Sequence, residues 1–272
     1  MVESPCSTDL SEHFARLHAR SEDNPPSLSL ADERWLAAET GYSMREIERA
    51  ALRAGVLPER YRRNLGTIGL EGQARLLDST VAVVGAGGLG GWIIELLARM
   101  GVGRLTIIDG DHFQENNLNR QLGCTEDVLG RAKAEVLAHR ARQVNGVVEA
   151  IARVSWLSAE NADELLAGAR VAVDALDTLP ARYILQEATA RCGIALVHGA
   201  IGGYSGQVMT ILPGDPGLKA LYGDVAPRDR GVEMTLGNPA ATPMMIAAWQ
   251  AHEVIKLLTG QGEILRHRML VM

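Results

Sequence analysis

The sequence predicts an α/β fold, in which a mixed and largely parallel sheet is flanked by helices and follows a small N-terminal helical extension. The first observation is the stretch TVAVVGAGGLGG at residues 80–91, an apolar run followed by a glycine-rich turn. A continuous apolar run of this kind is typical of a buried parallel strand. The second observation is that apolar runs alternate with helical patterns up to residue 212. This alternation indicates βαβ units, and the two observations together predict a Rossmann-like sheet.

Composition and charge exclude several classes of protein. The chain has 272 residues, 47% hydrophobic and 22% charged, which suits one large domain or a domain with an appendage. With 27 basic and 33 acidic side chains, and a net charge of −6, a dedicated nucleic-acid binder is not expected. No apolar run is long enough to span a membrane, and the polar start does not resemble a signal peptide. Three widely spaced cysteines predict neither a disulfide framework nor a zinc site, and indicate a cytoplasmic protein.

Residues 1–58 are predicted to form an extension in front of the main domain. The first 28 residues are polar and are expected to be poorly ordered or loosely docked. Two capping-box sequences follow, SLAD at residues 29–32 and SMRE at residues 43–46, and predict two short helices. The pair also resembles a helix-turn-helix. Because the segment has no basic excess, the pattern favours a helical hairpin that packs on the main domain.

The glycine-rich turn and the acid after the next strand predict a nucleotide site. Gly85, Gly87 and Gly88 let the chain turn tightly and let a ligand approach the backbone. The following helix directs its free N–H groups and its positive dipole end at the same place, which suits a phosphate. The next strand, Arg104–Ile108, ends at Asp109, about where an acid binds a ribose hydroxyl. The pattern does not say which nucleotide binds.

The remaining elements follow in order. Hydrophobic periodicity predicts strands at residues 146–154, 169–175, 194–199, 207–212 and 265–272. It predicts helices at residues 71–77, 92–100, 130–144, 161–167, 181–192 and 242–260. Residues 213–237 lack periodicity and are interpreted as a mobile segment that crosses the sheet.

Two groups of polar residues are candidates for binding phosphates. The loop after Asp109 carries Asn116, Asn117 and Arg120, and loops at the carboxyl ends of parallel strands bind ligands in open α/β sheets. Lys133, in the first turn of the next helix, is either a solvated lysine or a further phosphate contact. A basic cluster at residues 60–63 could hold phosphates or could be solvated or salt-bridged, and the sequence leaves both open.

Two acids three residues apart, Asp174 and Asp177, follow the strand predicted at residues 169–175. Carboxylates at the end of a strand can hold Mg²⁺, a hard ion that also takes water and phosphate oxygens as ligands. One of them could instead cap the next helix. Both roles could occur in this pair.

Several segments together resemble the ubiquitin-activating-enzyme-like (E1-like) superfamily, and within it the bacterial adenylyltransferases of the ThiF/MoeB/HesA group. They are RYRRNL, VGAGGLGG, TIIDGDHFQENNLNRQ, Lys133 after Gly130, DALDT and AWQAHEVIKLLTGQG. The resemblance covers about residues 59–272 and identifies them as an E1-like adenylation domain. It implies an enzyme that uses ATP and Mg²⁺ to adenylate the C-terminal glycine of a ubiquitin-like sulfur-carrier protein ending in Gly-Gly. It also implies a homodimer.

The resemblance implies roles for individual residues. The implied nucleotide contacts are Gly85, Gly87, Gly88, Asp109, Asn116, Asn117, Arg120, Gln121 and Lys133. Asp174 would hold Mg²⁺, with Asp177 as a possible second acid. Arg63 resembles the arginine that reaches across a dimer to the ATP of the other subunit. The implied catalytic residues are Arg63, Arg120, Lys133 and Asp174.

The cysteines depart from the pattern of the family. Many relatives bind zinc through two CxxC pairs, and some form a thioester or persulfide on a cysteine of the crossing segment. No cysteine occurs between residues 193 and 272, so no zinc is predicted. Since no rhodanese or ubiquitin-fold domain is recognised after the last predicted strand, sulfur is expected to come from a separate donor protein. Cys192 is expected to end a buried helix. Cys124, which follows the phosphate loop, is either structural or redox-active.

Other functions remain open at this point. An E1-like tRNA-modifying dehydratase would share the fold, but the acidic balance disfavours it because phosphate contacts dominate affinity for nucleic acids. A NAD-dependent oxidoreductase would share the glycine turn, but the Arg, Asn, Lys and Asp residues would then be unexplained. A binding subunit that has lost turnover would retain the same fold.

Overall fold

The computed structural model describes residues 10–20, 23–223 and 236–272. The helices described are α1 (Leu10–Arg20), α2 (Leu30–Thr40), α3 (Met44–Arg53), α4 (Leu65–Leu77), α5 (Gly88–Met100), α6 (Lys133–Val144), α7 (Ala162–Leu165), α8 (Leu179–Cys192), α9 (Leu218–Tyr222) and α10 (Ala241–Thr259). The strands described are β1 (Ser27–Leu28), β2 (Leu57–Pro58), β3 (Thr80–Val84), β4 (Arg104–Ile108), β5 (Glu149–Arg153), β6 (Val171–Asp174), β7 (Ala195–Gly202), β8 (Ser205–Ile211) and β9 (Leu270–Val271).

The main sheet has the strand order β5-β4-β3-β6-β7-β8-β9. Pairing is parallel from β5 to β7, and β8 pairs antiparallel with both β7 and β9. The predicted fold class, a mixed and largely parallel sheet with helices around it, is confirmed. The chain runs from β3 outward through β4 to β5 and then returns to β6 on the other side of β3. The order of the strands therefore reverses between β3 and β6, and open α/β sheets bind ligands at such a switch point.

The surroundings of the central strand β3 explain why its sequence is apolar without interruption. Val81 and Val83 pack into an apolar cluster with α5, α6 and α10 on one face of the sheet. Ala82 and Val84 pack with α7 and α8 on the other face. Successive side chains of a strand point to opposite faces, and helices cover both faces here. The strand is consequently buried on both sides, and its carboxyl end is fixed in the middle of the molecule.

The predicted C-terminal strand, residues 265–272, differs most from the structure. Within the described residues, Leu270–Val271 pairs with β8 as a strand, and Arg266 adds an isolated bridge to Thr210 of β8. Before Leu270 the backbone turns at His267, which has a φ of 57°. The start of the segment is held by the ion pair of Arg266 with Asp215, with a closest distance of 2.8 Å, and by a hydrogen bond from the Thr210 N–H to the Leu265 carbonyl oxygen at 3.1 Å. Of the segment that was interpreted as crossing the sheet, residues 224–235 lie outside the described residues.

Residues 10–20 also differ from expectation. They were expected to be poorly ordered or loosely docked, and they form helix α1. Phe14 of this helix is buried in a cluster with Leu28, Leu36 and Ile47. Leu10 and Leu17 of the same helix pack against this cluster and are partly buried. Three apolar side chains in a short polar segment give a weak sequence signal, but full burial of Phe14 alone stabilises the helix by roughly 1.5–3 kcal/mol. Residues 1–9 and 21–22 lie outside the described residues.

The two helices predicted from capping boxes are α2 and α3. Ser29 accepts a hydrogen bond from the Asp32 N–H at 3.1 Å, and Ser43 accepts one from the Glu46 N–H at 3.3 Å. Helix α2 ends at Gly41 with a φ of 74°, as a left-handed C-cap requires. Helix α3 packs against α4, so the hairpin lies on the main body of the protein.

A buried charged network connects this hairpin to the sheet. Arg60 lies 2.6 Å from a carboxylate oxygen of Glu33 in α2 and 3.1 Å from one of Glu48 in α3. Its other guanidinium nitrogen donates to the Asn145 side chain at 2.6 Å, next to β5. Tyr61 donates its hydroxyl proton to Glu48 at 3.1 Å. Two buried carboxylates thus share one arginine, and their charges are only partly compensated.

This network predicts a pH-dependent stability. Burial, and secondly the charge of Glu33, raises the pKa of Glu48 from 4.5 to about 8 in the folded protein. The folded protein therefore keeps a proton that the unfolded chain releases above about pH 4.5. The resulting stabilisation is complete below the unfolded pKa and is lost as the pH rises towards 8. We expect the free energy of unfolding to fall by on the order of a few kcal/mol from about pH 5 to about pH 9.

Urea denaturation at several pH values measures this fall. The Glu48→Gln variant, which cannot release the proton, should lose most of the pH dependence. Glu135→Gln, at an exposed position of α6, is the matched control and should retain it. A fall of equal size in the Glu48→Gln variant would show that other groups cause the pH dependence.

Candidate active site

A cavity of about 500 Å³ opens at the switch point between β3 and β6. Residues at the carboxyl ends of β3, β4 and β6 line it. The predicted site residues in its lining are Gly85, Gly87, Gly88, Asp109, Asn116, Arg120, Gln121, Lys133 and Asp177. The structure thus brings together nine residues that span more than ninety positions of the sequence. Three predicted site residues, Arg63, Asn117 and Asp174, are outside the lining.

The glycine turn is shaped by close contacts with its neighbours. Gly85 has a φ of 98°, and a Cβ atom there would lie 2.4 Å from the carbonyl oxygen of Ala175 after β6. A Cβ atom at Gly90 would lie 1.9 Å from the carbonyl oxygen of Gly85. Gly87 precedes α5, and no side chain caps the first turn of that helix. The free N–H groups at the start of α5 are therefore available to an anionic ligand.

Asp109 connects the turns that follow β3 and β4. One carboxylate oxygen accepts the Ala86 N–H at 2.6 Å, and the other accepts the Asp111 N–H at 2.7 Å. Burial raises the pKa of Asp109, although these two hydrogen bonds act in the opposite direction. The carboxylate is consequently held in one orientation at the edge of the cavity, beside the glycine turn.

Lys133 is buried at the cavity and is not a solvated lysine. Its ammonium group donates to a carboxylate oxygen of Asp111 at 2.5 Å. Burial of Asp111 acts to raise its pKa, but the hydrogen bonds from Lys133 and from the His112 N–H, together with the charge of Lys133, outweigh burial, and the pKa of Asp111 is lowered. Sequence reasoning missed Asp111. Its position two residues after Asp109 could have indicated that it belongs to the site.

Some side chains of the polar loop line the cavity, and others hold the loop itself in shape. Arg120 lines the cavity and donates to the Asn116 carbonyl oxygen at 2.9 Å and to the Asn119 side chain at 2.8 Å. Gln121 is buried against Gly87, and its Oε1 atom has no hydrogen-bond partner among the described residues. A buried polar atom without a partner beside a cavity indicates a place where a ligand could bind.

Asn117 fastens the turn in this loop. Its Oδ1 atom accepts the Gln114 N–H at 3.0 Å, and its Nδ2 atom donates to Asn116 at 2.9 Å. The side chain is buried, so its hydrogen-bonding groups face the turn and not the cavity. Asn117 therefore supports the shape of the loop in this structure.

The two acids after β6 differ in exposure. Asp174 is completely buried, and its oxygens accept the Leu176 N–H at 3.0 Å and the His198 Nδ1–H at 2.6 Å. Asp177 is exposed and lines the cavity. Asp177, which the resemblance implies only as a possible second acid, is thus the acid that is exposed to the cavity. Arg182, which sequence reasoning missed, lines the cavity and donates to the Leu176 carbonyl oxygen at 2.6 Å.

The basic cluster at residues 60–63 does not act as a unit. Arg60 belongs to the buried network described above, and Arg62 forms ion pairs with Asp23 at 3.0 Å and Glu59 at 2.9 Å. For these two the salt-bridged alternative holds. Arg63 is exposed, and it forms no ion pair within residues 10–20, 23–223 and 236–272.

An aromatic side chain borders the cavity at the end that holds Asp109. Trp156 follows β5, is 68% exposed and lines the cavity. Its ring covers Gly110, where a Cβ atom would lie 2.8 Å from the ring. Sequence reasoning missed Trp156 because nothing in the pattern marks the turn after β5 as part of the site. The ring offers a flat surface next to the acid.

The two cysteines that the structure describes differ in burial. Cys124 is buried, and burial raises the pKa of its thiol, which disfavours the reactive thiolate and favours the structural alternative. Cys192 is exposed at the end of α8, so the expectation of a buried position was wrong. Among the described residues, no three His, Cys, Asp or Glu side chains are grouped to hold a metal ion. No helix in that part of the chain is long and apolar enough to cross a membrane.

The profile of the ThiF family matches residues 61–272. The chain belongs to the ThiF family. The resemblance to E1-like adenylyltransferases in the sequence is thereby confirmed. A ThiF-family relative from Haloferax volcanii, named SAMP-activating enzyme E1, is 40% identical over 216 residues, which cover 78% of this chain and 80% of that protein. The sulfur carrier protein adenylyltransferase of Thermus thermophilus is 34% identical over 227 residues, 78% of this chain and 82% of that protein.

Other ThiF-family relatives are longer. Plant proteins named adenylyltransferase and sulfurtransferase MOCS3 match this chain over 46%, 45% and 49% of their own lengths. The fold is similar to that of E. coli tRNA N6-threonylcarbamoyladenosine dehydratase, TcdA, solved in complex with ATP. The TM-score is 0.63 at 25% identity, and the match covers 74% of this chain and 94% of that one. The architecture is thus that of the ThiF family.

Proposed function

We propose that the protein is an ATP-dependent adenylyltransferase that activates the C-terminal glycine carboxylate of a ubiquitin-like sulfur-carrier protein and releases pyrophosphate. The observation that carries this proposal is that the glycine turn, Asp109, Arg120 and Lys133 all line the same cavity. Membership of the ThiF family supports it, as does the name of the Thermus thermophilus relative. The carrier would serve sulfur transfer in the synthesis of thiamine or of the molybdenum or tungsten cofactor.

Each part of ATP has a counterpart in the cavity. The glycine turn and the free N–H groups of α5 suit the phosphates, and Asp109 suits a ribose hydroxyl. Arg120 and Lys133 supply positive charge on the side of the polar loop. The adenine would lie towards Trp156, whose ring borders the cavity next to Asp109.

Asp177 fits a magnesium site better than Asp174 does. Asp177 is exposed in the cavity, whereas both oxygens of Asp174 already accept hydrogen bonds away from solvent. Mg²⁺ is usually held by one or two carboxylates, water and the phosphates of a substrate, so a single free carboxylate is sufficient here. We therefore assign Asp177 as the metal-binding acid. Bound there, the ion would offset part of the charge of the triphosphate.

The chemistry requires the protein to bring two anions together. The carrier carboxylate attacks the α-phosphorus, a bond forms between its oxygen and that phosphorus, and the bond to pyrophosphate breaks. Arg120 and Lys133 would reduce the repulsion and hold the phosphates in line with the attacking oxygen. A general base is not needed, because a carboxylate is already ionised at neutral pH.

The protein would work as a homodimer in the cytoplasm, together with a separate sulfur-donor protein. Helix α10 exposes Met244, Met245 and Trp249, with the last two four residues apart on one side of the helix. Exposed apolar side chains in such a patch are typical of subunit interfaces. In the dimer Arg63 of one protomer would reach the ATP of the other, which agrees with its position outside its own cavity. A mass equal to one chain in light scattering would contradict this arrangement.

The test of the function is ATP–pyrophosphate exchange. We expect exchange only when a cognate carrier ending in Gly-Gly is present, because that tail supplies the nucleophile. The matched control is the same carrier without its last glycine, which should give no exchange. Exchange that is driven by tRNA would favour the dehydratase alternative, and preferential binding of NAD would favour an oxidoreductase. Absence of exchange with every candidate carrier would overturn the proposal.

A further inference from the structure

The turn at residues 175–177 is clamped on both sides of Leu176. The Leu176 N–H donates to an oxygen of Asp174 at 3.0 Å, and the Leu176 carbonyl oxygen accepts from Arg182 at 2.6 Å. Both peptide groups of the residue before Asp177 are therefore fixed by side chains. Asp177 follows this turn directly and is exposed in the cavity, so the clamp holds the backbone from which its side chain extends.

One arm of the clamp is held in turn by a buried histidine. Asp174 and His198 are direct partners in the parallel pairing of β6 with β7, and both are completely buried. The His198 Nδ1–H donates to the second oxygen of Asp174 at 2.6 Å. The His198 Nε2 atom lies 3.2 Å from the Gln207 Nε2 atom, which also bonds to the hydroxyl of Tyr222. Because the Gln207 nitrogen is a donor, the proton of His198 lies on Nδ1.

Loss of the bond from His198 would leave one oxygen of the buried Asp174 without a hydrogen bond, with only the ion pair to Arg182 at 3.6 Å remaining. A buried carboxylate in that situation is costly, and the side chain would rotate towards another donor. Rotation would release the Leu176 N–H and loosen the turn. Arg182, whose Nε atom lies 3.6 Å from that oxygen, is a donor that Asp174 could approach, and that arginine is the other arm of the clamp.

We propose that His198 is a positioning residue that fixes the carboxylate of Asp177 through Asp174 and the turn at residues 175–177. The inference rests on the proposed function, because it assigns the metal-binding role to Asp177. His198 itself contacts neither the cavity nor a reacting atom. Residues that orient the ligands of a metal typically change metal affinity by roughly 10–100-fold when they are replaced.

Two substitutions of similar size separate this role from simple packing. His198→Asn places an amide nitrogen where Nδ1 lies, so the bond to Asp174 is retained and the contact with Gln207 is lost. His198→Gln places its amide near the position of Nε2, so the bond to Asp174 is lost instead. Both variants remove the ring from a buried site, and thermal unfolding should show comparable destabilisation.

The measurement is binding of Mn²⁺, as a probe for Mg²⁺, to the full-length protein saturated with a non-hydrolysable ATP analogue, followed by electron paramagnetic resonance. We expect His198→Gln to weaken Mn²⁺ binding on the order of tenfold. We expect His198→Asn to stay within about twofold of the wild type. Binding of the analogue in EDTA should be the same in all three proteins.

Two results would count against the inference. Equal weakening of Mn²⁺ binding in both variants, or no weakening in either, would reduce His198 to a packing residue while the proposed function stands. A wild-type protein that does not bind the ATP analogue at all would overturn the proposed function and this inference with it.

Discussion

Carrier-dependent ATP–pyrophosphate exchange is expected to fall by about a thousandfold or more when Asp177 is replaced with Asn. Asparagine keeps the size of the side chain but removes the charge that would hold Mg²⁺ beside the triphosphate. A thousandfold loss corresponds to about 4 kcal/mol of transition-state stabilisation, a size that electrostatic contacts at a reacting phosphate reach in enzymes. Initial rates of exchange at saturating ATP and carrier measure the effect.

Two further variants test whether the effect belongs to Asp177. Asp163→Asn removes an exposed carboxylate that pairs with Arg191 at 2.7 Å, outside the cavity, and should leave exchange unchanged. Asp174→Asn should lower thermal stability, because it disturbs a buried hydrogen-bonded acid. Full exchange by the Asp177→Asn protein would refute the metal assignment. It would return the role to Asp174 if the Asp174→Asn protein were inactive without loss of stability.

Gly90→Ala is expected to destabilise the protein by about 3 kcal/mol or more and to abolish binding of ATP. The added Cβ atom would lie 1.9 Å from the Gly85 carbonyl oxygen, which is backbone and cannot rotate away. The helix α5 would have to move off the turn, and overpacking of this kind costs roughly 1–3 kcal/mol or more. Because the same turn lines the cavity, the N–H groups that we propose bind the phosphates would be displaced as well.

The neighbouring position provides the matched control. A Cβ atom at Gly91 would have its nearest contact, with Leu122, at 3.5 Å, an ordinary van der Waals distance. Alanine is favoured over glycine inside a helix by about 1 kcal/mol, so Gly91→Ala should leave stability unchanged or raise it. Urea denaturation and equilibrium binding of ATP measure both variants. Equal behaviour of the two variants would show that helix α5 does not depend on close approach to the turn.

The sequence predicted the parts of the site that are local in the chain. The glycine turn and Asp109 lie on one βαβ unit, and their spacing alone sets their geometry. The difference between Asp174 and Asp177 could not be predicted in this way. β6 is buried on both faces, so alternation of polar and apolar residues gave no sign of which acid faces the ligand.

Other features depend on contacts between distant segments. Trp156 reaches the cavity because the turn after β5 comes next to the turn after β4, and Arg182 reaches it from α8. Helix α1 was missed because its apolar side is short and is buried only against the hairpin. The proximity of such residues can be predicted once the order of the strands in the sheet is known, because that order decides which turns lie side by side.

The ion pair between Lys133 and Asp111 has a consequence for which anions can bind in the cavity. An incoming ligand must draw the ammonium away from a carboxylate that is 2.5 Å from it. A singly charged anion offers Lys133 little more than Asp111 already does, whereas a triphosphate offers several negative oxygens at once. If Lys133 binds the phosphates as we propose, Asp111 would compete with the ligand for the ammonium group, would favour polyanions over chloride-like ions, and would pair with Lys133 again after pyrophosphate leaves.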